Sequence, residues 1–96
     1  MKVCLSASVL AVVVFSTPAQ AQPMEYGTDR YGSDFMNIFM QSNGAPQSCR
    51  AACNANAECV AWTFVRSGYQ GPQTRCWLKN TIPPPANAVC CVSGVK

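Results

Sequence analysis

Six of the chain's seven cysteines fall between Cys49 and Cys91, and no other feature restricts the fold as much. They are Cys49, Cys53, Cys59, Cys76, Cys90 and Cys91. At this density, in a short exported chain, cysteines read as a disulfide framework in an oxidising compartment. Domains below about 80 residues have little core and depend on such staples. Zinc is the rival reading for clustered cysteines. The chain has no histidine, however, and Cys49-x3-Cys53 is not followed by a second well-spaced pair, so neither a metal nor any other cofactor is expected.

The oxidising compartment is signalled at the N-terminus. Lys2 supplies a positive charge, Val3 to Phe15 form an apolar run, Ser16-Thr17-Pro18 break it, and Ala19-Gln20-Ala21 gives a small-x-small cleavage pattern. The run is too short to cross a hydrocarbon core of about 30 Å as a helix. Residues 1–21 are therefore expected to be a signal peptide, with residues 22–96 forming one secreted or periplasmic domain that has no stable membrane insertion. Cys4 and Lys2 leave with the signal. The whole chain carries a net charge of +3, too mild to argue for nucleic acid.

Gln22 to Ser33 is polar and punctuated by glycine, and reads as a loop entering a strand over Phe35–Met40. Pro46 suits a first helical turn, where its missing N–H does no harm. Gln47 to Ala55 then reads as a short helix stopped by the Asn54-Ala55-Asn56 stretch. Cys59 to Val65 is β-branched and aromatic, Ser67 to Pro72 is turn chemistry, and Thr74 to Lys79 is the return strand of a hairpin. Pro83-Pro84-Pro85 cannot donate to a sheet and should run extended over the surface. Ala88 to Val92 can add a last strand. The expected fold is α+β: one short helix packed on an antiparallel sheet.

Cys49 and Cys53 stand four residues apart, so on a helix both project from one face, which must then look at the sheet. The most economical pairing joins Cys53 to Cys59 across the tight helix–strand turn, and Cys49 to Cys76 on the return strand. Other connectivities are open to six cysteines, and spacing does not choose among them. Adjacent residues of a strand point to opposite faces, so Cys90 and Cys91 cannot both reach one helix. They pair with each other through a strained link, or stay free, bind metal or bridge to another molecule.

Asp34-Phe35, Cys49-Arg50-Ala51-Ala52-Cys53, Cys59-Val60-Ala61-Trp62-Thr63-Phe64-Val65, Cys76-Trp77-Leu78-Lys79 and Val92-Ser93-Gly94-Val95 together resemble the PAN/apple domain family, most closely its short bacterial form. The resemblance covers about Met24 to Lys96. It implies a helix on an antiparallel sheet with two helix–sheet disulfides, and a role in binding protein or carbohydrate. No cysteine lies between Gln22 and Ser48, so the bond that ties the two ends of apple domains proper has no counterpart.

Catalysis lacks a constellation: there is no histidine, the serines have no base at hand, and Asp29 with Asp34 is the only carboxylate pair to consider. The expectation is a non-enzymatic module with a protein or glycan ligand. If Cys59 faces the helix, strand alternation sends Trp62 and Phe64, with Trp77 from the return strand, to the opposite face. There they form either an aromatic binding patch or a second small core under the Pro83–Pro85 segment. Arg66 and Arg75 flank the hairpin tip, where they could hold a sulfate or carboxylate. A secreted cystine-scaffold inhibitor or toxin, acting through the loop Ser67–Thr74, is the alternative function.

Overall fold

A computed structural model describes residues 22–96; the signal-peptide expectation for residues 1–21 lies outside them. The chain runs through β1 (Glu25–Asp29), β2 (Asp34–Phe39), α1 (Pro46–Asn54), β3 (Ala61–Val65), β4 (Arg75–Lys79) and β5 (Ala86–Val95). The strands form one antiparallel sheet in the order β1-β5-β3-β4-β2. The fold is α+β, with the single helix of the described residues on one face of the sheet.

Pro46 occupies the first turn of α1, and the amides of Ala55 and Asn56 close its end on Ala51 and Cys53. The helix ends without the left-handed asparagine that the Asn54-Ala55-Asn56 stretch had suggested: Ala55 is right-handed (φ −83°). Asn56 instead turns the chain by accepting the Glu58 amide on its side chain. The helix buries Cys49 and Cys53. The Cys49–Cys76 bond fastens the helix to β4, and the Cys53–Cys59 bond ties it to the turn that leads into β3. Trp62, Phe64, Leu78 and Val92 fill the space around them, with Met24, Phe35, Ile38 and Met40 at the margin.

This core corrects the expected facing of β3. Trp62 pairs with Leu78, and Phe64 with Cys76. Directly opposed residues share a face, so Trp62 and Phe64 lie beneath the helix, 1% and 3% exposed. The strand begins only at Ala61, after a bend at Val60. Cys59 therefore belongs to the turn, and the alternation counted from it does not carry into β3.

Two further segments differ from expectation. Glu25–Asp29, read as loop, is the edge strand β1, and β5 extends beyond Ala88–Val92 at both ends to pair with it. Gly27 sits in the left-handed region (φ +67°), at the bulge where the pairing jumps from Tyr26↔Val92 to Thr28↔Asn87. β1 is pinned from outside by Arg30, which donates to both carboxylate oxygens of Glu25 and to the Pro83 carbonyl. The hydrogen bond to Glu25 raises the Arg30 pKa above its ordinary value, against the burial that lowers it. The guanidinium accordingly stays charged.

Candidate functional site

β1 and β2 occupy opposite edges of the sheet, so the connection from Arg30 to Ser33 must cross the three inner strands. Gly32 and Ser33 make the crossing possible with positive φ values of 100° and 61°. The crossing is tied down at several points. The buried ammonium of Lys79 donates to the Gly32 carbonyl (3.1 Å) and to Asp34 (2.6 Å). Asn80 donates its amide to Ser33, and the hydroxyls of Ser33 and Thr81 are bonded. At the other end, Thr63 in the central strand donates to Asp29 (2.9 Å), and Ser93 donates to the Thr28 carbonyl.

Between this crossing and the sheet face that the helix leaves open lies a cleft of about 180 Å³, lined by Asp29, Tyr31, Asp34, Gln70, Trp77 and Lys79, with Val65 beneath. Trp77 is half-buried. Its indole N–H donates to the Gln70 side-chain oxygen at 3.0 Å, which draws the β3–β4 loop back over the sheet. On its flank the Arg75 guanidinium is stacked between the rings of Trp77 and Phe39, 4.6 and 4.2 Å from their centroids, and donates to Asn37.

The residues singled out from the sequence separate accordingly. Trp77 borders the cleft. Trp62 and Phe64 are core residues and offer no accessible ring. Arg66 and Arg75 are not brought together: Arg66 turns toward β5, where it donates to the Val89 carbonyl, while Arg75 leans the other way onto β2. Each side chain follows the strand neighbouring its own, and those neighbours lie on opposite sides of the hairpin. Cys90 and Cys91 are bonded to each other in β5.

Asp29 and Asp34, weighed above only as a hydrolytic pair, both line the cleft with one oxygen engaged. Tyr31 ends the Tyr26–Tyr31 stretch, the next place to look if neither the Trp nor the Arg surface binds. Gln70 belongs to the Ser67–Thr74 loop of the inhibitor alternative, and Lys79 has no site role in the sequence reading. The three come from separate stretches of chain and converge only through the crossing connection.

A family model for the PAN domain matches residues 28–79, from the end of β1 through β4, more than half of the chain. No curated protein matches the chain. No solved structure does either.

Proposed function

We infer the function of this chain from one premise: it belongs to the PAN domain family. Members of that family are protein- and carbohydrate-binding modules. This chain is read as a non-catalytic module of the same kind, acting outside the cytoplasm after removal of residues 1–21. Its ligand site is the cleft at Trp77.

One observation carries the reading. The helix and its two disulfides occupy one side of the sheet, and the other side keeps a half-buried tryptophan at the border of a polar-rimmed cleft. An aromatic ring held beside polar groups is what recognition of another molecule uses, since stacking supplies area and the rim supplies orientation. The six cysteines of residues 22–96 are all paired, which fits an oxidising compartment. The inhibitor alternative gains less support. The loop from Ser67 to Thr74 closes on itself through Gly68–Gly71 and Ser67–Pro72 bonds, and is drawn back toward the sheet by Gln70. Its residues Ser67 to Gln73 are exposed, but these bonds hold it against the cleft rim.

The test is capture of partners from the producing cell's envelope and secreted fraction, and on a glycan array, with the parent protein and Trp77→Ala. The parent is expected to retain ligands that the variant loses, with far-UV circular dichroism unchanged. Equal capture by both would place the site elsewhere.

A further inference from the structure

The chemistry of the cleft narrows the ligand. Four charged side chains surround the Trp77 ring: Asp29 and Asp34 as lining, Lys79 beneath them, and Arg75 stacked on the indole. Two negative and two positive charges sum to zero, so the cleft has no net charge that favours an ion of either sign. Lys79 is 2% exposed and already bonded to Asp34 and Gly32, so it is not offered to an anion. An incoming cation would meet Lys79 at Asp34 and Arg75 at the indole.

What the cleft does present is a mixture of hydrogen-bonding groups. Asp29 accepts from Thr63 through Oδ1, and Asp34 accepts from Lys79 through Oδ1. Among the described residues, no donor takes the second oxygen of either carboxylate, which is left as an acceptor. Indole N–H is a donor only, so the Trp77 bond takes the amide oxygen of Gln70 and leaves the Gln70 NH₂ as a donor. Acceptors and a donor around one aromatic face match a ligand whose groups donate and accept equally, over an apolar C–H surface. A hydroxylated six-membered sugar ring has that character.

We propose that the cleft binds an uncharged pyranose, its C–H face on Trp77 and its hydroxyls on Asp29, Asp34 and Gln70. The proposal rests on the reading of Trp77 as the ligand site. It excludes glycans recognised through sulfate or uronate, because Asp29 and Asp34 would repel the acid, Lys79 is buried and already bonded, and Arg75, though it lies on the indole, is taken up by Asn37 and Phe39.

The experiment follows the two indole N–H cross-peaks by NMR while methyl glucoside, methyl galactoside, methyl mannoside, N-acetylglucosamine and glucuronate are titrated into the purified protein. At least one neutral sugar should shift the Trp77 signal with an affinity that changes little between low and high salt. Glucuronate should not. Asp29→Asn and Gln70→Ala should each weaken that binding by about tenfold or more while the spectrum stays dispersed. A response to glucuronate alone, binding that weakens steeply with salt, or no response to any neutral sugar overturns the proposal. In the last case, a protein partner still captured through Trp77 leaves the binding-module reading standing. Capture that ignores Trp77→Ala removes both.

Discussion

Trp62 and Gly94 face each other across β3 and β5, and the ring lies so close that a Cβ on Gly94 would sit 2.5–2.8 Å from Cζ2, Cε2 and Nε1 of the indole. Glycine is needed there for space. Gly94→Ala should therefore cost about 1–3 kcal/mol by overpacking, read from urea unfolding. Truncating the two tryptophans should separate their roles. Trp62→Ala is expected to cost about 3–5 kcal/mol because it empties the core beneath the helix. Trp77 is half-buried at the border of an open cleft, so Trp77→Ala should cost much less stability while abolishing ligand capture. Near-equal losses of stability would contradict this division. Lys79 adds a third case, since its buried ammonium depends on Asp34. Asp34→Ala should destabilise by about 1–3 kcal/mol, and Lys79→Met added to it should recover part of that, because the orphaned charge is then gone.

Among the elements, α1 is nine residues long, too short to persist by itself in water. It is kept by what it is bonded to. The Cys49–Cys76 bond closes a separation of 27 residues and the Cys53–Cys59 bond one of six. In the chain-entropy account the first contributes about 3–4 kcal/mol and the second about 2. Replacing Cys49 and Cys76 together by alanine should lower the unfolding midpoint more than replacing Cys53 and Cys59, once non-reducing peptide mapping has verified the pairs. The reverse order would mean that the short bond maintains the helix–strand turn beyond its entropy. At β1 the polar, glycine-punctuated run through Tyr26-Gly27-Thr28-Asp29 reads locally as a loop. What makes this segment a strand is its partner β5, a long way along the chain.

For the whole molecule, the design places the staples and core on one side of the sheet and the candidate ligand site on the other. The two sides should accordingly be separable by experiment: reducing the two disulfides of the helix should act on stability, and changing Trp77 on recognition. Export is the remaining expectation at this scale. The intact mass of the native protein should correspond to a chain beginning at Gln22, unmodified or cyclised to pyroglutamate. A mass that retains Met1 to Ala21 would sink the processing expectation, and with it the compartment.

The sequence by itself determined the α+β class and the family, because cysteine spacing, strand-forming runs and turn residues are local signals. The interval between Cys49 and Cys53 equals about one helical turn, so both sulfurs had to leave on one side. Only the tertiary structure decided which face of β3 is buried. That parity depends on where the bend at Val60 ends and the strand starts, one residue of register that local propensity does not encode. Only the tertiary structure assembled the cleft, too. Asp29, Tyr31, Gln70 and Lys79 meet because β1 and β2 end on opposite edges and their connection crosses the sheet. That strand order is chosen by long-range pairing, which no short window of residues contains.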